Sequence, residues 1–170
     1  MMPRSHLLFG FLAGAVVSLF VQDITLLHVL AAGVLAVLID LDHFACHIFK
    51  TKDLHVTNMW KRCFNDHYKD HKEDPHYKSR FVHYWPGIII ISVLFAPLFW
   101  WRVDIAAIAY AGYYSHILSD NLTKLKFYGN LPPFTFEVRK LLYPVYIDEL
   151  LFDVFVFAMT LILLLKGGLL

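Results

Sequence analysis

Residues 24–43 read ITLLHVLAAGVLAVLIDLDH, a run of sixteen residues whose only strongly polar member is His28, closed by Asp40-Leu41-Asp42-His43. A membrane helix needs roughly 17–25 mainly apolar residues, and continuing this run to Phe49 supplies that length. Carboxylates and imidazoles at membrane depth cost free energy and usually mark a functional site. The stretch therefore predicts a hydrophobic helix over 24–49 with a polar cluster where it ends.

Working outward, four further apolar segments follow the same pattern: 6–21, 81–101, 103–118 and 150–170. The 170 residues are 58% hydrophobic and only 17% charged, with a mean hydropathy of +0.55, too apolar for an ordinary soluble domain. The expected fold is all-α: a polytopic membrane bundle of four to five hydrophobic helices, a single domain over 1–170 with a charged insert at 50–80. The first and fourth segments are short for a full span. Arg4 precedes an apolar stretch as in a signal peptide, but no small-residue cleavage pattern follows, so the first segment is expected to be retained.

Thirteen of the fifteen basic residues fall at the amino terminus, in 50–80 or between the last two segments; only Arg102 and Lys166 fall elsewhere. By the positive-inside rule the amino terminus and both long loops are expected to be cytoplasmic; the expected location is a bacterial-type inner membrane. Trp100 and Trp101 sit at the far-side turn, where interfacial aromatics belong. Gly10 and Gly14 permit close helix approach, the small residues Ala106, Ala107, Ala109, Ala111 and Gly112 suit the bundle interior, and Pro97 predicts a kink. Cys46 and Cys63 lie on the reducing side and predict no disulfide; Cys46 reads as a buried thiol before a ligand.

On that topology His6, Asp40, Asp42, His43, His83, His116 and Asp120 all reach the cytoplasmic face. His116 and Asp120 are four apart and share one helix face. Asp40, Asp42 and Asp120 would each stand at a helix carboxyl end, opposing the dipole by about 0.3–1 kcal/mol. A bound cation reverses that local field. Imidazole and carboxylate ligands suit Zn2+, with Mn2+ or Fe2+ as alternatives. His28 falls near the opposite face and is set aside.

The charged loop has further histidines, His55, His67, His71 and His76, amid balanced charge that describes a solvated face more simply than a second metal site. Trp60, Lys61 and Arg62 suit a membrane surface. Pro132, Pro133, Phe134 and Phe136 break any helix over 130–144. Asp148, Glu149 and Asp153 at the start of the last helix agree with its dipole, and helix-start stabilisation is the simpler account of Asp153 than a place in the site.

Ser5-His6, Asp40-Leu41-Asp42-His43, His83, and Ser115-His116 through Asp120 with Leu122-Thr123 together resemble the YdjM-like family of predicted membrane-bound metal-dependent hydrolases. Pro133-Phe134 matches a Pro-Phe that follows in that family. Ile39 stands where relatives commonly have Pro, and Ser79-Arg80-Phe81-Val82-His83-Tyr84 keeps only the second histidine of the central motif, as in a divergent member. The family is distantly similar to the zinc phospholipase C and single-strand nuclease group. The resemblance implies hydrolysis of a phosphoester.

The expected function is thus a metal-dependent hydrolase acting on a lipid or lipid-linked phosphoester at the cytoplasmic face. Asp42 is the candidate general base, further ligand or orienter of a histidine. Membrane lipids are the expected partners, and nucleic acid is not. The rivals are a metal ion or proton transporter, disfavoured because no polar ladder continues toward Trp100, and a non-catalytic metal-binding scaffold.

Overall fold

The computed structural model describes residues 3–55, 85–124 and 147–170, and they are helical apart from short connections. The helices are α1 (Pro3–Val17), α2 (Leu26–Leu38), α3 (Leu41–Thr51), α4 (Trp85–Phe95), α5 (Leu98–Trp101), α6 (Val103–Lys124) and α7 (Ile147–Lys166). They fall into two compact units, Met1–Val37 with Phe95–Leu170, and Leu38–Leu94.

In the first unit α1 packs against both α6 and α7. Its core joins Ala15, Ile24, Val29, Ala32, Ile108 and Leu164, lined by Phe11, Val17 and Leu163. Small residues set the spacing. A Cβ at Gly10 would lie 2.6 Å from the Gly33 Cα and 2.7 Å from the Ala32 carbonyl oxygen, and one at Gly112 would lie 2.7 Å from that same oxygen. The α2 backbone therefore lies against both α1 and α6, as the small-residue pattern anticipates. Asp23 makes the turn between α1 and α2 in the left-handed region, φ 67°, which Asp tolerates better than most residues.

At the other end of α6, Phe99 lies 5.4 Å and Phe95 5.8 Å from the Tyr110 ring. Here α2 begins with a local clasp. The Thr25 backbone N–H donates to His28 Nδ1 at 3.1 Å, as a capping-box side chain reaches back to its N-cap. His28 Nε2 then lies 3.2 Å from Asp104 Oδ2, and Arg102 grips Asp104 with two nitrogens.

In the second unit α3 starts with Asp40 as its N-cap and Asp42 in its first turn, and ends at Lys52, φ 58°, whose N–H returns to the Ile48 carbonyl. α4 is apolar all round, WPGIIIISVLF.

The expected five continuous membrane helices are corrected by this structure. No helix among the described residues is long and apolar enough to cross a membrane. α1 has 15 residues and α2 13, about 22 and 20 Å at 1.5 Å per residue against a hydrocarbon core of about 30 Å. The 24–49 segment divides at Ile39–Asp40, with Asp40 at the position that precedes α3. The 81–101 segment divides at Ala96–Pro97: α4 ends at Phe95, Pro97 caps α5, and the expected kink is a break. α6 and α7 reach 22 and 20 residues, but α6 carries Asp104, Asp120 and Lys124 and α7 carries Asp148, Glu149, Asp153 and Lys166. The surface is nonetheless strongly apolar, with Phe20, Leu27, Trp100, Trp101 and Phe155 all well exposed.

Candidate metal centre

α1 and α6 build the site. One turn into α1, Ser5 and His6 are buried; near the end of α6, so are Ser115, His116 and Ser119, with Asp120 at their edge. His6 is 1% and His116 0% exposed, whereas the Asp120 side chain keeps 21%. The site is closed behind the imidazoles and open beside the carboxylate.

The two imidazoles stack, centroids 4.1 Å apart and planes 26° from parallel. His6 Nε2 lies 3.4 Å from Asp120 Oδ1, and His116 Nε2 lies 3.6 Å from Asp120 Oδ2. The i, i+4 spacing read from the sequence is what lets His116 and Asp120 face one point. One ligand atom from each of His6, His116 and Asp120 falls within 4.8 Å of the others.

The far nitrogens orient the rings. His116 Nδ1 lies 2.7 Å from the Ala36 carbonyl oxygen of α2. A carbonyl only accepts, so His116 Nδ1 carries a proton, and in the neutral ring Nε2 presents its lone pair toward Asp120. His6 Nδ1 lies 2.7 Å from Ser119 Oγ, and that oxygen lies 2.8 Å from the His116 carbonyl oxygen. Such outer hydrogen bonds commonly orient imidazoles as metal ligands.

These residues fit a divalent cation. Zinc binds imidazole nitrogen at about 2.0–2.1 Å and carboxylate oxygen at about 2.0–2.2 Å, so neighbouring ligands in a tetrahedral site stand roughly 3.3–3.5 Å apart. His6 Nε2 at 3.4 Å from Asp120 Oδ1 falls on that edge, and His116 Nε2 at 3.6 Å from the other oxygen, Oδ2, stands slightly beyond it. Both separations are long for a charge-assisted N–H···O⁻ bond, about 2.7–2.9 Å.

Asp40 and Asp42 belong to the second unit, at the amino end of α3 rather than the carboxyl end of a preceding helix. Their relation to the helix dipole is the reverse of that expected: acids are favoured there. Asp120 is likewise not at a terminus, because α6 continues through Lys124 instead of stopping at 118. His43 lies on α3, with its side chain outside the described residues, and His83 is wholly outside them. So are His67, His71 and His76 of the charged loop and Pro133-Phe134, while His55 is exposed, its N–H bonded to Asp53 Oδ1.

Asp153 stands in the second turn of α7 and is 5% exposed. It accepts a 2.8 Å hydrogen bond from Arg4 Nε of α1. It thus fastens α7 beside the helix that carries His6, a role that helix-start stabilisation does not describe. Sequence reading also passed over Ser119, whose only signal is a small hydroxyl three residues after His116 and one before Asp120.

A family model described as YdjM inner membrane protein matches residues 1–169. No curated protein and no solved structure matches the chain significantly. With a match over nearly its whole length, the chain belongs to the YdjM inner membrane protein family.

Proposed function

We propose that this protein is a membrane-bound, metal-dependent hydrolase of a phosphoester carried by a lipid or lipid-linked molecule. The observation that carries the reading is the convergence of His6, His116 and Asp120 with the outer nitrogen of His116 committed to Ala36. Three protein ligands beside an accessible carboxylate suit a catalytic ion, which keeps a coordination position for reactants, better than a closed structural one. His6, His116 and Asp120 would hold such an ion, which when bound would supply Lewis acidity toward a phosphoryl oxygen and lower the pKa of a bound water. The protein's own part is to hold two neutral imidazoles and one carboxylate in register, to exclude water behind the rings, and to leave the Asp120 side open.

The inner-membrane family description and the apolar exposed surface support a substrate met at the membrane, and the thirteen basic residues read on one side support a cytoplasmic amino terminus. The test is hydrolysis of phospholipid and lipid-linked phosphate panels by metal-loaded protein in lipid nanodiscs, with His116→Ala and Asp120→Ala as controls. Metal-dependent turnover that both variants abolish is expected. Full metal occupancy with no turnover above those variants on any substrate overturns the hydrolase reading.

A further inference from the structure

We propose that Ser119 is a positioning residue that fixes the tautomer of His6 and so makes it a ligand; the proposal rests on the metal reading of the His6, His116 and Asp120 site. Ser119 is fully buried, and its hydroxyl oxygen lies between two groups: His6 Nδ1 at 2.7 Å and the His116 carbonyl oxygen at 2.8 Å. A hydroxyl has one proton to give. The carbonyl only accepts, so when Ser119 donates to it, the serine oxygen is left to accept, and His6 Nδ1 must carry the hydrogen. His6 Nε2 then turns a lone pair toward Asp120.

The opposite assignment has Ser119 donating to His6 Nδ1 and His6 Nε2–H pointing at the carboxylate. The Ser119 bond favours the first: its hydroxyl donates to the His116 carbonyl at 2.8 Å, which leaves its oxygen to accept from His6 Nδ1. The 3.4 Å between His6 Nε2 and Asp120 Oδ1 also suits two ligands of one cation. The stacked partner ring supports the same answer, because His116 is independently held with its proton on Nδ1 by Ala36. Ser119 therefore ties the α1 ligand to the backbone of the α6 ligand, one helical turn from the carboxylate that completes the set.

Two readouts on the full-length protein in detergent test this. Cobalt titration followed by its visible absorption should give Ser119→Ala an affinity weaker by about 10–100-fold, the usual cost of losing an outer hydrogen bond. Ser119→Thr, which keeps the hydroxyl, should recover most of it. Thr160→Ala, which removes a buried hydroxyl bonded only within α7 to the Val156 carbonyl, should leave it unchanged. Histidine-selective nitrogen-15 spectra of the metal-free protein, assigned with His6→Asn, should show His6 protonated on Nδ1 in wild type and shifted toward Nε2–H in Ser119→Ala. Wild type that binds no cobalt overturns the metal reading. Wild-type affinity in Ser119→Ala, or His6 protonated on Nε2 in the native protein, overturns the role of Ser119 while leaving the metal reading standing.

Discussion

Asp104 and Asp120 stand on the same helix, sixteen residues apart and so about 24 Å along its axis, and each faces histidine. At Asp104 the His28 ring accepts through Nδ1 from the Thr25 backbone, so its proton lies on Nε2 and points at the carboxylate, 3.2 Å away. Arg102 neutralises the same carboxylate, and the hydrogen bond to Asp104 lifts the Arg102 guanidinium above its ordinary value. At Asp120 the His116 ring donates through Nδ1, so in the neutral ring its Nε2 lone pair is what meets the carboxylate. Residue types are alike at the two ends. The difference lies in what each ring's other nitrogen does: one end is closed by Arg102 and His28 on Asp104, while the other brings together three groups that could hold a metal ion.

The largest effect that separates the two ends is the response to chelation. Ligand that binds only the native state adds about 2.7 kcal/mol when present at a hundred times its dissociation constant. Stripping metal should therefore lower the thermal midpoint of wild type and of His28→Ala alike, while Asp120→Ala, already without the site, changes little. Equal chelator sensitivity in all three would place the metal elsewhere and dissolve the contrast.

Next in size is the backbone approach that the Asp120 site depends on. In Gly10→Ala the new methyl meets the Gly33 Cα and the Ala32 carbonyl, which cannot swing aside as a side chain does. Overpacking of this kind costs about 1–3 kcal/mol. Because α2 also supplies the Ala36 carbonyl to His116, metal affinity should fall together with stability in denaturation and titration series. A loss of stability with unaltered affinity would show that the site does not depend on how α2 sits.

The smallest effect belongs to the clasp. Thr25→Ala removes the hydroxyl that lies 2.9 Å from His28 Nδ1 and should cost about 0.5–1.5 kcal/mol, with metal affinity unchanged. Asp104→Asn should lower the thermal midpoint in the same way and leave cobalt absorption as in wild type. A change in that spectrum would couple the two ends of α6 and weaken the division drawn between them.

The same physics explains what was legible in the sequence. Apolar runs gave an all-helical fold, and the glycines at 10 and 112 gave the close approach of α1, α2 and α6, since both are local properties of the chain. Helix length was less legible: the first long apolar run breaks before Leu41 and the second at Pro97, which cannot donate a hydrogen bond, so each became two helices. His116 and Asp120 stood out because imidazole and carboxylate at i, i+4 is a pattern in sequence space, and His6 because it opens the first apolar run. The dipole argument for Asp40 and Asp42 failed with the helix boundary on which it rested. Ser119, Ala36 and the Arg4–Asp153 pair were hidden because their roles depend on contacts across 80 or more residues of sequence. The grip of His28 on Asp104 is visible only once α2 and α6 are side by side.

The most direct measurement is the metal content of detergent-purified protein, determined by elemental analysis for wild type, His28→Ala and His116→Ala prepared in parallel. Wild type and His28→Ala should carry bound divalent metal in matching amounts, and His116→Ala should carry almost none. Metal retained equally by all three, or lost equally from His28→Ala and His116→Ala, would contradict the assignment of the ligand set to the His6, His116 and Asp120 end of the molecule.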